Sequence, residues 1–380
     1  MKSVSNKFLS FCKLHFFLTI LFLFLLFAAN WIPEERILEH SSSFLPHNPE
    51  YSTLWNSLLN QDSGYRWNGI QVLLRPLLYL FHTAQIRYLC MIAFFLLFFG
   101  AAMQISRKLA PPFGFMFFFS FLWADILPVS YSLSQAGCFL ITFSAVLVLL
   151  GKTPRYEKED PQRLYLIFYT IGAATVFLDD GTIPILTLGI PLTIAFLSIR
   201  KFSNMTGIRK ILACCSLFWG LGCLLLTASK WLIALWATGK NFFPEYIRKL
   251  WEENFGAACS LPQILLSLYS NLKEFLSRAD FGIKTLAILL LILTVSYLAL
   301  FTVGHKIKNA CLALVPLVFL SLLPFVFYLL TPARGLAHAA STSRAQIAAM
   351  YPILLFLYSV LDTERLWNKI STAMKSLWRN

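Results

Sequence analysis

The sequence predicts an all-α, polytopic transmembrane helical protein of about ten spans, with two long outer loops that carry amphipathic interfacial helices. Three observations lead there. Of 380 residues, 58% are hydrophobic and only 13% charged, with a mean hydropathy of +0.67; a soluble domain carries about 25% charged residues. The apolar residues come in runs of about 16–25, the length that crosses about 30 Å of hydrocarbon at 1.5 Å per residue. Most Lys and Arg sit in short connections between these runs, which is how membrane proteins set their orientation.

The first run, 14–30, follows Lys2, Lys7 and Lys13 and reads as an uncleaved signal anchor, because many further spans come after it. The remaining runs are 88–106, 111–127, 133–151, 164–179, 182–199, 211–229, 284–304, 309–331 and 346–361, each join marked by Pro, Gly or charge. The whole of 1–380 reads as one integral membrane unit. Its outer loops are 31–87 and 230–283. Residues 67–81 and 244–255 have the pattern of helices lying on a membrane surface.

With the N-terminus cytoplasmic, ten spans put the C-terminal tail inside as well and give six inner segments holding 19 of the 32 Lys and Arg. The three short outer connections hold only Arg334 and Arg344. The expected location is therefore the plasma membrane, with both termini cytoplasmic. The carboxylates run the other way, 13 of 18 falling on the outer side or its rim. Insertion does not require that bias, since Asp and Glu contribute little to orientation.

Composition also excludes some functions. The net charge of +14 is accounted for by the loop cations, so no nucleic acid is expected as a partner. Neither GxxxxGK[ST] nor GxGxxG occurs, so no nucleotide-binding loop is expected. The eight Cys lie mostly within apolar runs, without a CxxC pair, and read as small apolar residues.

Three acidic positions point to the outer interface. Glu34 and Glu35 follow the first span, Asp125 ends the third, and Asp179 and Asp180 form the turn Leu178-Asp179-Asp180-Gly181-Thr182. Asp and Gly suit a turn, and Asp180 could cap the following helix. Carboxylates beside hydrocarbon are costly, however, and often serve ion binding or proton transfer. Clustered carboxylates can act as a general base or hold a divalent cation such as Mg or Mn, for which Glu35 and Asp179 are the candidate ligands.

The basic candidates on the same side are Arg66, Arg75, Arg87, Lys230, Arg334 and Arg344, with His338 nearby. Lys230 interrupts an apolar stretch beside Trp231; it reads either as a snorkelling lysine or as the counter-ion of a lipid phosphate. Arg344 opens the last span, where a cation opposes the helix dipole; the position favours a bound anion over an ordinary solvated loop. Carboxylates and phosphate-seeking cations on one face fit a reaction with a hydroxyl acceptor and a phosphate leaving group.

On these features the chain resembles the GT-C type membrane glycosyltransferases. The resemblance lies in the acidic start of the first outer loop (Trp31-Ile32-Pro33-Glu34-Glu35-Arg36), its surface helix, the second acidic position at Asp125 or Asp179-Asp180, and the Ser343-Arg344 loop before the closing span. More specifically the chain is similar to a group of Gram-positive bacterial membrane proteins with a Tyr-Arg-Tyr-Trp-His-Gly-Tyr-like stretch and a Leu-Asp-aromatic-Leu-Thr-x-Pro-like turn. Here those stretches read Gly64-Tyr65-Arg66-Trp67-Asn68-Gly69-Ile70 and Leu178-Asp179-Asp180-Gly181-Thr182-Ile183-Pro184, with Asn68 where a His is usual. The resemblance implies a polyprenyl-phosphate sugar donor drawn from the membrane lipid, an envelope glycan acceptor, and catalysis outside the cytoplasm. It assigns Glu34, Glu35 and Asp179 as base or metal ligands, and Lys230, Arg344, Arg334 and His338 as donor-phosphate anchors. Asp180, Asp125, Arg66 and Arg75 are secondary candidates.

Two other classes stay open at this stage. A transporter or flippase of a lipid-linked saccharide would place ionisable residues near the bilayer midplane on broken helices in repeated halves. A non-catalytic envelope-assembly protein would need no convergent site.

Overall fold

The computed structural model describes residues 2–41, 67–156, 161–178, 183–199, 205–256, 260–278 and 314–360, and all regular structure among them is helical. The expected span 284–304 and the first residues of 309–331 lie outside the described residues, as do Arg66, Asp179 and Asp180.

Helix α1 (Lys2–Asn30) is rich in Phe and Leu from Phe8 onward and is ended by Trp31-Ile32-Pro33. Short α2 (Glu34–Ser41) follows, with Glu34 and Glu35 in its first turn, where the dipole favours anions. After α3 (Ile70–Leu80) comes α4 (Thr83–Lys108). His82 caps α4 reciprocally: its side chain accepts the Gln85 amide, and its own N–H donates to Gln85 Oε1 at 3.0 Å. Arg107 and Lys108 close the same helix, on the favourable side of the dipole.

Two prolines start α5 (Pro111–Trp123), and the single turn α6 (Leu127–Ser130) leads to α7 (Ala136–Tyr156). Then come α8 (Gln162–Leu178), α9 (Pro184–Ile199) and α10 (Met205–Thr238). The segment expected to form the second outer loop contains α11 (Phe243–Phe255) and α12 (Leu261–Arg278). An apolar helical stretch, Leu314–Leu330, ends in α13 (Leu323–Leu330). Short α14 (Pro332–Ala337), α15 (Ala339–Thr342) and a 3-10 turn (Ser343–Gln346) then lead into α16 (Ile347–Val360).

Among the described residues three helices are long and apolar enough to cross a membrane, within Phe8–Asn30, Thr83–Lys108 and Thr206–Thr238. Shorter apolar helices accompany them, and large apolar side chains such as Phe16, Phe24, Leu224 and Trp236 stand exposed. Such an exterior suits lipid and not water. The chain is therefore an all-α protein built for membrane association.

Ring contacts set the relative helix directions. Phe94 meets Phe139 and Phe143, and Phe98 meets Phe143, so α4 and α7 run the same way. Phe98 meets both Phe117 and Phe121, and an added Cβ at Gly114 would strike Ser106, so α4 and α5 run oppositely. Phe117–Tyr351 and Phe113–Tyr358 contacts make α16 antiparallel to α5. Helix α9 is buried from Leu186 to Ile199 and forms the centre.

The α8–α10 crossing is the closest. An added Cβ at Gly172 would lie 2.1 Å from the Trp219 carbonyl oxygen, and one at Gly222 would lie 2.3 Å from that of Tyr169. Only glycines let these backbones approach so far, as is usual for helices packing in lipid.

Two expectations change. The span expected to end at 229 continues to Thr238, giving a helix of 34 residues, about 50 Å long. Nothing in the sequence stops it before Gly239, whose φ of 69° ends the helix and whose N–H bonds to the Leu235 carbonyl at 2.9 Å. Lys230 is thus a helical residue. The helix expected on the membrane surface at 67–81 forms as α3, but its polar Gln71 and Arg75 are buried while Leu73 and Leu80 are exposed. It packs against α1, α2 and α4 with Gln71 and Arg75 turned inward beside Leu74 and Leu78.

Candidate functional site

The segment 131–137, which leads into α7, is where the candidate residues meet. On one side Leu133 packs among Ile37, Leu74, Leu78 and Ile86 of α2, α3 and α4. Two residues on, Gln135 Oε1 accepts from Arg344 Nη1 at 3.2 Å. One further turn of α7 holds the ends of the Asp179-Asp180 connection. The Leu178 carbonyl lies 3.4 Å from a Cβ built on Gly137, and Cys138 Sγ donates to the Ile183 carbonyl at 2.9 Å.

Arg344 is buried in the 3-10 turn that opens α16. Its Nη2 and Nε donate to the Asp125 carbonyl at 3.3 and 3.4 Å, and Nη1 reaches the Ala340 carbonyl at 3.2 Å. The cation is thus held by oriented dipoles, the way a buried charge survives outside water. Asp125 turns its carbonyl inward by adopting a φ of 51°, a region non-glycine residues seldom enter. Its carboxylate is left half-exposed. Strain of this kind at a polar residue marks functional sites. Beside Arg344, Ser343 Oγ is buried with no hydrogen-bond partner among the described residues, as is Gln71 Oε1 on α3. Buried polar atoms without partners are rare enough to mark places where water or a ligand belongs.

Glu34 and Arg75 form the second pair. Arg75 is fully buried, donates to the Ile32 carbonyl at 3.0 Å and lies 3.7 Å from Glu34 Oε1. Burial pulls its guanidinium below the ordinary value, and Glu34 pushes it back up. Glu35, next in the chain, is exposed.

Lys230 forms the third element, its Nζ 5.8 Å from the centroid of the Trp67 ring. Trp67 is itself buried, donating Nε1 to the Leu226 carbonyl at 2.9 Å and meeting Phe22 and Phe177 edge-on. The next turn is pinned where Gly69 N–H bonds to the Phe177 carbonyl at 2.8 Å; an added Cβ on Gly69 would lie 2.4 Å from that oxygen. Asn68, at φ 52°, makes the approach possible.

Two candidates sit elsewhere. Arg334 Nη2 bonds to Glu253 Oε2 at 2.8 Å and fastens α14 to α11. His338 is exposed at the joint between α14 and α15. Among the described residues no group of three His, Cys, Asp or Glu side chains is placed to hold a metal ion.

An apolar groove of about 950 Å³ runs along α7 and α8. Leu73, Leu77, Gly137 and Leu178 line one end, Thr170 and Ile141 the middle, and Val148 and Arg163 the other end. Between Leu178 and Arg163 the α8 backbone rises about 22 Å.

Sequence reasoning missed a polar chain in the same bundle. The Tyr169 hydroxyl lies 2.6 Å from His15 Nδ1, and His15 Nε2 lies 3.1 Å from Ser229 Oγ, which itself donates to the Leu225 carbonyl at 2.9 Å. With Ser229 already donating, the consistent arrangement has His15 donating from Nε2 and accepting from Tyr169. It ties α1, α8 and α10 together. The available signal was His15 itself, an ionisable residue inside an apolar run.

The fold and these contacts thus define a helical membrane-associated protein with two buried arginines, Arg344 on the Asp125 carbonyl and Gln135, and Arg75 beside Glu34. Comparison with protein-family models, curated proteins and solved structures gives no match.

Proposed function

We propose that the protein is a GT-C type glycosyltransferase of the plasma membrane, transferring a sugar from a polyprenyl-phosphate donor to an envelope glycan on the outer face. The observation that carries this reading is the apolar groove, one end of which is lined by Gly137, Leu178 and the Leu73 and Leu77 side chains of α3, the helix that carries Arg75. A long isoprenoid chain suits such a groove, and the attached phosphate and sugar would then stand at that end.

Ten spans with both termini inside fit the alternating helix directions. The first, fifth and seventh spans are α1, α8 and α10; the second and fourth are α4 and α7. The alternating order gives α4 and α7 the same direction and makes α5 oppose both α4 and α16.

In the proposed reaction a carboxylate takes the proton of the acceptor hydroxyl. The acceptor oxygen attacks the anomeric carbon, and the bond to the phosphate oxygen breaks, its electron pair leaving with the polyprenyl phosphate. Asp125 is the described carboxylate closest in the chain of contacts to Arg344, with Asp179 as its neighbour in the proposal. Arg344 and Lys230 stabilise the departing phosphate. Glu34 holds Arg75 in place. A divalent cation on Glu35 and Asp179 would add positive charge at the phosphate.

Purified protein in nanodiscs, given a radiolabelled polyprenyl-phospho-sugar and a glycan acceptor, tests this. Transfer of label with release of polyprenyl phosphate is expected, and loss of transfer in Asp125→Asn and Arg344→Lys. Movement of the lipid-linked sugar across proteoliposomes without transfer would replace the enzyme reading with a flippase. Full activity in a Glu34→Gln/Glu35→Gln/Asp125→Asn/Asp179→Asn chain would sink the carboxylate assignment.

A further inference from the structure

Helix α12 is amphipathic with its faces reversed. Ser267 and Asn271 are fully buried, while Leu261, Leu265, Leu266, Tyr269, Leu272 and Leu276 form one exposed stripe, from 40% exposure at Leu272 to 69% at Leu261. The inward face sets these two polar side chains beside buried Phe275, and its polar contacts are specific. Asn271 Nδ2 donates to the Gly335 carbonyl at 2.8 Å, and its Oδ1 accepts from Thr342 Oγ1 at 2.7 Å. Gly335 permits this contact, since an added Cβ there would lie 2.2 Å from Ser267 Oγ. At the far end Trp123 Nε1 donates to the Phe275 carbonyl at 3.2 Å, and Arg278 donates to the Ala340 carbonyl.

In water this arrangement would be upside down, because burial of apolar area is what holds a helix to a soluble protein. In hydrocarbon it is the expected one: polar groups find partners inside and leucines face out. We infer that the leucine face of α12 is seated in the acyl chains of the bilayer. Two further observations favour lipid over a protein partner. The charges of α12 are Lys273, Glu274 and Arg278, all in its last six residues, so the first twelve, Leu261–Leu272, can submerge while the charged end stays at headgroup level. The stripe also continues onto α13, which packs on α12 and exposes Val326, Leu329 and Leu330.

Through α14, α15 and the 3-10 turn, α12 fixes the height of Arg344 relative to the membrane surface. The second outer segment is then a membrane-anchored plate. This inference requires only that the protein is membrane-embedded. It stands apart from the glycosyltransferase reading, because its test uses no substrate.

The test places a benzoylphenylalanine, which photocrosslinks to neighbouring C–H groups, at Leu265 or Tyr269 of the full chain in nanodiscs. Leu224, exposed on α10, is the lipid reference, and Lys240, exposed beyond it, is the aqueous reference. Lipid adducts at Leu265 and Tyr269 matching those at Leu224 are expected, at least about tenfold above Lys240, the preference that burying one leucine-sized side chain in hydrocarbon gives. Adducts to a second copy or another protein would overturn the inference, and so would yields as low as at Lys240. Monodisperse elution and the Leu224 signal show that each labelled chain is folded.

Discussion

Arg344 Nη2 rests 3.3 Å from the backbone carbonyl of Asp125, although 219 residues separate the two. The contact ties the C-terminal end of α5 to the start of α16, and it exists because Asp125 adopts a positive φ. Asp125 thereby meets the cation through its backbone carbonyl.

Arg344→Ala should therefore destabilise the fold strongly. It removes the donors to the Asp125 carbonyl and a donor to Gln135 Oε1 and to the Ala340 carbonyl, and a buried acceptor left unmade costs about 1–3 kcal/mol. Arg344→Lys keeps the charge but cannot span all three, so an intermediate loss is expected. Thermal unfolding in nanodiscs reads both; an unchanged Tm for Arg344→Ala would contradict the contact.

Asp125→Gly separates strain from chemistry. Glycine enters the left-handed region freely, so relieving the strain at φ 51° should leave stability unchanged or raise it by up to about 1 kcal/mol. Asp125→Ala keeps the strain and should cost about 1 kcal/mol. Both should abolish sugar transfer. A stabilised Asp125→Gly that retains full activity would remove Asp125 from the chemistry.

Glu34 and Arg75 should respond unequally. Glu34 is half-exposed, so its ion pair is screened, and Glu34→Gln is expected to cost no more than about 1 kcal/mol. Arg75→Ala opens a cavity and strands the Ile32 carbonyl, and should cost about 3 kcal/mol. Chemical denaturation of each variant measures the difference, and equal losses would mean that the buried packing contributes little.

Gly220 and Gly222 are two residues apart on α10 but face different surroundings. Gly220→Ala meets nothing within 4 Å and should stabilise by about 0.5–1 kcal/mol through helix propensity. Gly222→Ala places a methyl 2.3 Å from the Tyr169 carbonyl oxygen and should cost at least about 2 kcal/mol as α8 and α10 are forced apart. Tm values of opposite sign are expected.

Tyr169→Phe should lose about 0.6–1.5 kcal/mol, the usual worth of a hydrogen bond between helices in lipid. Sugar transfer should stay near wild type, because the His15 chain holds three helices together away from Asp125. Loss of transfer without loss of stability would instead give His15 a role in the reaction.

Much of the architecture was legible in the chain. Long apolar runs can satisfy their backbones in lipid only as helices, so α1, α4, α7, α8, α9, α10 and α16 could be placed from composition alone. Arg344 at a helix start stood out because it opposes the dipole. Arg75, by contrast, looked like a surface charge on an amphipathic segment. In lipid the polar face turns inward, so the same periodicity that marks an interfacial helix also describes α3 and α12 packed with polar residues buried. Nor could the sequence assign Arg334 to Glu253, since that pairing joins two helices 81 residues apart.

The sequence by itself determined the solvent and the secondary structure, because hydrophobicity and run length act locally. Which cations and carboxylates meet was decided only by the tertiary structure. Asp125, Gln135 and Arg344 converge because aromatic rings between α4, α5 and α7 and between α5 and α16 set how closely those helices pack, and no local property of the chain records that distance.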